Sequence, residues 1–475
     1  MTAPHIAARR TKIVATIGPA SRDPERMAAL AEAGVDWFRI NGSHGSAAEH
    51  EVTLRHARSA ARATGRAIGV LLDLPGPKVR TGKFVSPPVT LVAGANVALS
   101  ADDALGDAQH IRGVNPEVIE AAQVGDAVYL VDGTIRLEVV EREPGLLYAI
   151  VRMGGTVGDR SGINVPGTTL PVHALTDTDR ELLKWAVMMG VDAIACSFIR
   201  NARELREIRA VANSHRPGAR LVAKIEMREA MYDLDALATE ADGLMVARGD
   251  LGVELPFADV PLAQKRICRV AQLLGKPCMV ATQMLQSMVH NSRPTRAEAS
   301  DAVNAIYDGA DSLMLAQETA IGEYPVEAVR ALSDLAMAAE SQPDYLPHAA
   351  VDMRDHVASN AQIALAWAAV SLAEEIDARA IVVGTRSGAS AIALSRHRPR
   401  MPIVALSGDT RTAGWLAATW GVTPIVSDIP MRLGALSAWA WQGLPAMAAG
   451  LGSGPIVVVV GGSDRLPGAI TALTD

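Results

Sequence analysis

Two neighbouring apolar segments end in side chains suited to holding a metal ion and an anion together. The first, LVAKIE, ends with Lys224 and Glu226, and the second, GLMVARGD, ends with Arg248, Gly249 and Asp250. Carboxylate oxygens suit Mg²⁺ or Mn²⁺, whose remaining ligands are water and substrate oxygens. A nearby ammonium group offsets the charge of an anionic substrate. These residue types predict a divalent-metal site at Glu226 and Asp250, with an anion beside Lys224.

The elements that must position these residues are short β-rich segments that alternate with amphipathic helical segments. We expect strands near residues 11–18, 37–41, 67–74, 193–198, 220–226, 243–250, 277–283 and 312–319. Strands that alternate with helices indicate a parallel sheet, and eight such units are typical of a (β/α)8 TIM barrel. Catalytic residues of these barrels lie at the carboxyl ends of the strands.

Polar residues occur at the predicted carboxyl ends of five further strands or just after them. They are Arg39, Asn41, Ser43, His44, Asp73, Lys78, Arg80, Ser197, Thr282, Gln283, Glu318 and Thr319. Arg39, Arg80 and Lys224 supply cations for a phosphate group. Gly249 lets a backbone amide approach a substrate closely. The combination predicts a metal-assisted phosphoryl-transfer site.

The chain divides into three predicted domains of α/β and β type. Residues 82–172 contain Pro and Gly punctuation and alternating segments such as AVYLVDGTIRLEVV, which predict a small β-barrel lid inserted into a barrel loop. The barrel then comprises residues 1–81 and 173–345, and residues 346–475 form an open α/β domain. An insertion that enters and leaves at one loop can move as a hinged lid.

Composition favours an enzyme that acts on small molecules. The 475 residues are 49% hydrophobic, and the net charge of -7 has no long block of one sign, which disfavours a nucleic-acid or membrane surface. No apolar segment approaches the roughly 20 residues that span a bilayer. Cys196, Cys268 and Cys278 lack metal-ligand spacing and are expected to be buried. We expect a cytoplasmic protein.

Several long motifs resemble those of the pyruvate kinase family. They are TKIVATIGPAS, NGSHG, LLDLPGPKVRTG, DGLMVARGDLGVELP, GKPCMVATQMLQSM and SRPTRAEASDAVNAIYDGADSLML. The resemblance implies a barrel, a lid and a C-terminal domain, usually in a homotetramer. It also implies a glycolytic reaction in which phosphoenolpyruvate and ADP give pyruvate and ATP.

The resemblance assigns catalytic roles to matching positions. Glu226 and Asp250 would bind the divalent metal, and Lys224 would stabilise the transferring phosphoryl group and the enolate. Arg39 would bind phosphate, and Thr282 would lie beside the carbon that receives a proton. Two further sets would bind the reactants. The substrate set is Ser197, Gly249, Asp250, Thr282 and Arg80, and the nucleotide set is Arg39, Asn41, His44 and Arg80.

One departure from the family concerns a monovalent cation. The common form of the third strand motif reads Asp-Thr-Lys-Gly-Pro-Glu-Ile-Arg-Thr and forms a potassium site with residues that match Asn41, Ser43 and Asp73. Here Leu74, Pro75 and Lys78 replace Thr, Lys and Glu. A unit charge at about 4 Å is worth roughly 4 kcal/mol at an effective dielectric near 20. We therefore expect the Lys78 ammonium to replace potassium, so that potassium is not required.

Other departures affect protonation and regulation. Ala316 and Gln317 replace a Ser-Gly pair, which removes a hydroxyl from the proton relay, and Gly42 stands where an apolar residue is usual.

The segment GTRSGASA places Thr385, Arg386, Ser387, Gly388 and Ser390 at a strand-to-helix turn. It could bind a sugar-phosphate effector, although helix capping explains the same residues. The later GGSDRLPGAI lacks the family's Trp-Arg-Pro-Gly form, so glucose 6-phosphate, ribose 5-phosphate or AMP are alternatives to fructose 1,6-bisphosphate.

Two other functions are compatible with parts of this pattern. One is a magnesium-dependent aldolase or lyase acting on pyruvate-type enolates, against which the lid and the three phosphate-binding cations argue. The other is a weakened paralogue that senses sugar phosphates, for which Ala316 and Gln317 are the support. A coupled assay for pyruvate separates these alternatives.

Overall fold

The computed structural model describes residues 9–342, 361–447, 453–460 and 468–474. The first barrel segment comprises β1 (Lys12–Ile17), α1 (Pro24–Ala33), β2 (Trp37–Asn41), α2 (Ala47–Thr64) and β3 (Gly69–Asp73). Side-chain caps start both helices. Asp23 accepts a hydrogen bond from the Glu25 amide, and Ser46 forms a reciprocal capping box with Glu49.

The inserted segment forms its own β structure and core. Its elements are β4 (Val89–Leu91), β5 (Asn96–Ser100), β6 (His110–Ile111), α3 (Pro116–Ala121), β7 (Ala127–Leu130), β8 (Ile135–Glu143), β9 (Leu146–Met153), β10 (Gly155–Val157) and β11 (Ile163–Asn164). They form a six-stranded sheet in the order β11-β7-β8-β9-β5-β6 and a pair β10-β4. Alternate residues such as Val128, Leu130, Ile135 and Leu137 are buried, which explains the alternation in the sequence.

The second barrel segment supplies five more parallel strands. Its elements are α4 (Asp177–Met189), β12 (Ala193–Cys196), α5 (Ala202–His215), β13 (Leu221–Ile225), α6 (Arg228–Tyr232), α7 (Leu234–Glu240), β14 (Gly243–Ala247), α8 (Arg248–Glu254), α9 (Val260–Leu274), β15 (Cys278–Ala281), α10 (Arg296–Tyr307), β16 (Ser312–Leu315), α11 (Gln317–Ala320) and α12 (Pro325–Glu340). Short 3-10 turns cover Phe257–Asp259 and Gln286–Val289. The strands close in the order β1-β16-β15-β14-β13-β12-β3-β2, which confirms the predicted TIM barrel.

Two predicted strands were too long at their carboxyl ends. Residues 248–250 and 317–319 lie in the first turns of α8 and α11, because the strands stop at Ala247 and Leu315. Glu318 accepts a hydrogen bond from the Ala316 amide, and the Gly249 amide bonds to the Thr282 hydroxyl. Local hydrogen bonds of this kind take the place of further strand pairing.

The C-terminal segment forms an open parallel sheet with one antiparallel edge strand. Its elements are α13 (Ala361–Glu375), β17 (Ala380–Gly384), α14 (Ala389–Ser395), β18 (Ile403–Ser407), α15 (Thr410–Leu416), β19 (Val422–Val426), α16 (Leu433–Met447), β20 (Ile456–Val460) and β21 (Ala469–Leu473). The strand order is β19-β18-β17-β20-β21, and β21 runs antiparallel to β20. This confirms the expected open α/β arrangement.

The C-terminal sheet packs against the amino-terminal face of the barrel. The Trp37 indole lies edge-on to Trp415 at a ring-centroid distance of 5.8 Å, and its N–H donates to the Gly414 carbonyl at 2.8 Å. The buried Lys12 donates to the Val422 carbonyl at 2.7 Å. The opposite, carboxyl-terminal face therefore remains for chemistry.

Two predictions concern cysteines and membrane segments. Cys196, Cys268 and Cys278 are all buried as free thiols, as expected. The Cys268 and Cys278 sulfur atoms lie 3.7 Å apart. None of the helices in the described ranges is long and apolar enough to cross a bilayer.

Candidate active site

The ammonium group of Lys224 lies at the centre of a buried polar cluster. Its nitrogen is 2.8 Å from Oε1 of Glu226 and 3.1 Å from Oδ1 of Asp73, and it donates to the Ser197 hydroxyl at 2.7 Å. Burial alone would lower the pKa of Lys224, but the carboxylates of Asp73 and Glu226 outweigh burial and raise it. Lys224 is therefore a fixed positive charge at the carboxyl end of β13.

Asp73 connects Lys224 to Arg39, which lies on strand β2. The Arg39 guanidinium binds Oδ2 of Asp73 through two nitrogens, at 2.8 and 2.7 Å, and also donates to the Thr16 hydroxyl at 3.1 Å. Burial would raise the pKa of Asp73, but Lys224 and Arg39 lower it below its usual value. Sequence reasoning had placed Asp73 in the monovalent-cation region and had overlooked Thr16.

Glu226 and Asp250 form a carboxylate pair that suits a divalent cation. Glu226 is 1% exposed, and burial, together with the charge of Asp250, raises its pKa despite Lys224. A divalent ion between two carboxylates would relieve this repulsion, so the donor chemistry fits Mg²⁺ or Mn²⁺. The described ranges contain no group of three or more His, Cys, Asp or Glu side chains suited to a metal, so other ligands must come from water or substrate.

The second oxygen of Glu226 is held by the backbone. Oε2 accepts a hydrogen bond from the Phe198 amide at 2.7 Å, and Phe198 adopts a φ of 56°. A non-glycine residue in the left-handed region costs free energy, which the surrounding structure must supply. This contact orients the carboxylate and was invisible in the sequence.

Lys78 places a second ammonium group beside Asp250. Its nitrogen lies 3.4 Å from Oδ1 of Asp250 and 3.1 Å from Oδ1 of Asp132 in the inserted segment. Burial would lower the pKa of Lys78, but Asp250 and Asp132 raise it. A Cβ on Gly162 would lie 2.7 Å from the Lys78 Cε, so this glycine makes room for the side chain. Sequence reasoning missed Asp132, for which the only signal was an Asp-Gly turn.

Thr282, the third predicted catalytic residue, lies at the start of a strained loop after β15. Its hydroxyl accepts a hydrogen bond from the Gly249 amide at 2.9 Å, and the φ angles of Thr282 and Gln283 are 73° and 54°. Arg248 holds this loop by donating to the Thr282 carbonyl at 2.7 Å and pairing with Asp301 at 2.7 Å. Asp301 was not among the predicted site residues.

Four other predicted site residues lie apart from the Lys224 cluster. The Asn41 side chain accepts from the Ser43 amide at 3.1 Å, and Ser43 and His44 are exposed. Arg80 is also exposed, and its guanidinium donates to the Arg160 carbonyl in the inserted segment at 3.1 Å. Among the described contacts, none joins these side chains to Lys224.

Two polar residues after β16 have structural roles instead of facing the site. Glu318 is fully buried and accepts hydrogen bonds from the amides of Leu285, at 3.0 Å, and Ala316, at 2.8 Å. The buried Thr319 hydroxyl donates to the Thr16 carbonyl at 2.9 Å. They hold neighbouring loops together, so they contribute only indirectly to the site predicted at the carboxyl ends of the strands.

Gly42 now has a steric explanation. A Cβ at this position would lie 2.7 Å from the Asp73 carbonyl oxygen and 3.1 Å from both Pro75 Cδ and Leu182 Cδ1. Pro75 is one of the departures in the third strand motif. Pro75 therefore limits the space for a side chain at Gly42.

Most hydroxyls in the proposed effector turn are already hydrogen-bonded within the chain. The Thr385 hydroxyl accepts from the Gly388 amide at 3.0 Å, and the Ser390 hydroxyl accepts from the Gln362 side chain at 3.0 Å. Gly388 has a φ of 90°, which favours glycine. Arg386 and Ser387 are exposed. Residues 461–467 of the later GGSDRLPGAI segment lie outside the described residues.

Comparisons with known proteins agree with this arrangement. A family model described as "Pyruvate kinase, barrel domain" matches residues 8–329, and one described as "Pyruvate kinase, alpha/beta domain" matches residues 363–470. The chain is 40% identical over 419 residues to a pyruvate kinase of Geobacillus stearothermophilus, covering 87% of this chain and 71% of the relative. It is 41% identical over 419 residues to one of Methylorubrum extorquens, covering 88% and 87% of the two chains. The chain therefore belongs to the pyruvate kinase family of phosphotransferases.

Proposed function

We propose that the cluster of Lys224, Glu226 and Asp250 transfers the phosphoryl group of phosphoenolpyruvate to ADP. The observation that carries this proposal is the buried Lys224 ammonium, 2.8 Å from Glu226 and 3.1 Å from Asp73. The bond from phosphorus to the enol oxygen breaks, and a bond from phosphorus to a terminal β-phosphate oxygen of ADP forms. The enolate then takes one proton at its methylene carbon, which gives pyruvate and ATP.

The chain's own charges fit this reaction. Lys224 offsets negative charge on the transferring phosphoryl group and on the enolate oxygen, where preorganised charge lowers the barrier most. Arg39, held by Asp73, binds a phosphate oxygen. Glu226 and Asp250 would hold Mg²⁺, the metal that this family generally uses, or Mn²⁺. When bound, the metal supplies Lewis-acid stabilisation of the substrate oxygens.

The remaining site residues would bind and protonate the reactants. We assign Ser197, Gly249, Thr282 and Arg80 to the phosphoenolpyruvate pocket, and Asn41 and His44, with Arg39 and Arg80, to the nucleotide side. The Thr282 hydroxyl, fixed by the Gly249 amide at 2.9 Å, would lie beside the carbon that receives the proton. Without a hydroxyl at Ala316, water would complete the relay, so protonation would be slower or rerouted.

A coupled assay of pyruvate formation with phosphoenolpyruvate, ADP and MgCl₂ tests these assignments. Asp250→Asn and Glu226→Gln should each raise the apparent Kd for Mn²⁺, measured by electron paramagnetic resonance. Asp235→Asn, on the surface helix α7, is the matched control. Normal Mn²⁺ binding by both site variants would rule out this carboxylate pair as the metal site.

We further propose that Lys78 supplies the charge that potassium provides in other members of the family. Its ammonium nitrogen lies 3.4 Å from Asp250, and Gly162 leaves space for it. The described contacts of Lys78 are with Asp250 and Asp132. The Lys78 charge would therefore act on Asp250 from the side of the inserted segment, and not at the positions of Asn41 and Ser43. Strong activation by KCl in a tetramethylammonium buffer would contradict this proposal.

Regulation and assembly complete the proposal. We assign the turn at residues 385–390 to a sugar-phosphate or AMP effector site, supported by the exposed Arg386 and Ser387.

The domains would be residues 1–81 with 173–345, residues 82–172, and residues 346–475, assembled as a homotetramer. Light scattering after size-exclusion chromatography tests the assembly, and a mass near that of one chain would contradict it.

A further inference from the structure

We propose that Glu254 is a positioning residue that fixes the inserted segment (residues 82–172) against the helix that carries Asp250. Its partner is Asn164, whose side-chain amide donates to Oε1 of Glu254 at 3.1 Å. Asn164 lies on β11, an edge strand of the six-stranded sheet, and Glu254 is the last residue of α8 (Arg248–Glu254). This inference rests on the proposed function, because it concerns how the inserted segment is held beside the metal pair.

The contact between Asn164 and Glu254 is buried on both sides. Asn164 is 8% exposed and Glu254 is 4% exposed. A carboxyl group that is buried without a hydrogen-bond donor loses its hydration and gains no partner in return. Asn164 supplies that donor, so the inserted segment can leave α8 only when water replaces the Asn164 amide. The hydrogen bond therefore favours the position of the inserted segment seen here.

Helix α8 connects this contact to the proposed metal pair. Glu254 follows Asp250 by four residues, which is about one helical turn, so both side chains lie along the same side of α8. Arg228 fixes the end of the helix by donating to the Glu254 carbonyl at 2.7 Å. The contact with Asn164 at the end of α8 thus helps to set the position of Asp250 near its start.

The inserted segment contacts the same helix at a second place, the turn that contains Asp132 and Gly133. Asp132 pairs with Lys78, which also pairs with Asp250. A Cβ on Gly133 would lie 3.4 Å from Cγ2 of Val253, so the turn packs closely on α8. The turn follows β7, and β7 pairs with β11, so both contacts come from one edge of the same sheet.

A small cavity beside this contact reaches the other carboxylate of the metal pair. It has a volume of about 50 Å³, and its lining includes Asn164, Glu254 and Phe198. The Phe198 amide donates to Oε2 of Glu226 at 2.7 Å. The inserted segment therefore borders residues that adjoin both Glu226 and Asp250.

A fixed inserted segment should favour substrate binding more than the chemical step. When the segment is already held against α8, substrate binding spends less free energy on ordering it. Loss of one hydrogen bond changes an equilibrium about three- to tenfold. We therefore expect Glu254→Leu and Asn164→Ala each to raise the KM for phosphoenolpyruvate by about that factor, and to change kcat by less than about twofold.

A double-mutant cycle tests whether the two residues act through their contact. If they do, the KM of the Glu254→Leu, Asn164→Ala double variant equals that of the more affected single variant. Glu254→Gln keeps an acceptor oxygen and should have a near-normal KM. Glu141→Leu and Asn96→Ala, at exposed positions of the inserted segment, are the matched controls. A double variant in which the two single effects multiply would overturn the proposal.

Double electron–electron resonance measures the position of the inserted segment without requiring activity. Nitroxide labels at Glu143→Cys in that segment and Lys184→Cys on α4 are selective, because both positions are exposed and the three native cysteines are buried. The distance distribution should broaden in Glu254→Leu and in Asn164→Ala and should not change in Glu254→Gln.

Asn164→Ala removes the same hydrogen bond from the other side, so the test does not depend on the folding of Glu254→Leu. An unchanged distance distribution in Asn164→Ala would overturn the positioning role. Absence of pyruvate formation by the unmodified chain would contradict only the phosphoryl-transfer proposal, because the distance distributions would still decide whether this contact holds the inserted segment.

Discussion

The Lys78 ammonium nitrogen lies 3.4 Å from Oδ1 of Asp250, so a lysine just before the inserted segment is paired with a carboxylate of the proposed metal pair. The same nitrogen lies 3.1 Å from Asp132 in the inserted segment. One side chain thus connects the inserted segment to the barrel beside the proposed metal pair. Lys78 is therefore the residue at which the proposed roles in monovalent-cation replacement and in divalent-metal binding can be tested together.

Replacing Lys78 should create a potassium requirement. Lys78→Glu restores the common residue of the family and adds a negative charge beside Asp250, so we expect low activity in tetramethylammonium buffer and recovery with KCl. Steady-state assays at constant ionic strength measure this difference. Lys83→Glu, an exposed lysine five residues further along the chain, is the control. A Lys78→Glu variant that stays fully active without potassium would contradict the proposed role.

Replacing Lys224 should reduce both rate and stability. Lys224→Met removes the cation that we propose acts on the transferring phosphoryl group, and loss of one such group lowers kcat by about 10²–10³-fold. The variant also leaves Asp73 and Glu226 without their shared partner, and breaking a buried pair costs about 3–5 kcal/mol. Stopped-flow assays and denaturant unfolding measure the two effects.

The matched variants for this test are Lys184→Met and Lys224→Arg. Lys184 is exposed on α4, so its replacement should change neither quantity. Lys224→Arg keeps the charge and should recover much of the stability while remaining slow, because the guanidinium group differs in shape. A Lys224→Met variant with normal kcat would show that Lys224 is not catalytic.

Glu254 should make stability depend on pH near neutrality. It is 4% exposed, and burial raises its pKa from 4.5 to about 7, although Asn164 donates to it at 3.1 Å. The folded chain therefore holds a proton that the unfolded chain releases, and stability falls as pH rises from about 4.5 to about 7. The shift corresponds to about 3 kcal/mol.

Glu254→Gln removes this titration and should be more stable than the unmodified chain at pH 8, with little difference at pH 5. Guanidinium unfolding at the two pH values measures the change, and the exposed Glu51→Gln is the control. An equal effect of Glu254→Gln at both pH values would mean that Glu254 does not titrate in this range.

Gly42→Ala should destabilise the chain through one close contact. The added Cβ would lie 2.7 Å from the Asp73 carbonyl oxygen, and overpacking of this kind costs about 1–3 kcal/mol. Because Pro75 contacts the same position, the Lys78 loop should shift and the KM for phosphoenolpyruvate should rise. Gly158→Ala is the control, since a Cβ there meets nothing within 4 Å. Equal unfolding free energies for the two variants would disprove the steric role of Gly42.

Local patterns were sufficient to predict the barrel. Segments such as LVAKI and GLMVA are apolar and bounded by polar residues, and both are buried strands. The predicted ends failed at Arg248 and Gln317, because a strand end depends on the pairing available from a neighbouring strand. The open C-terminal sheet was predicted for the same reason as the barrel.

By itself, the sequence determined that Lys224, Glu226 and Asp250 lie at the ends of adjacent strands, since hydrophobic periodicity is a property of neighbouring residues. Only the tertiary structure decided which distant groups meet. It paired Lys78 with Asp132, buried Glu318 as a structural acceptor, and brought Arg216 near Arg386. Such contacts depend on how remote segments pack, because the free energy of packing is shared by many side chains and is not encoded in any single motif.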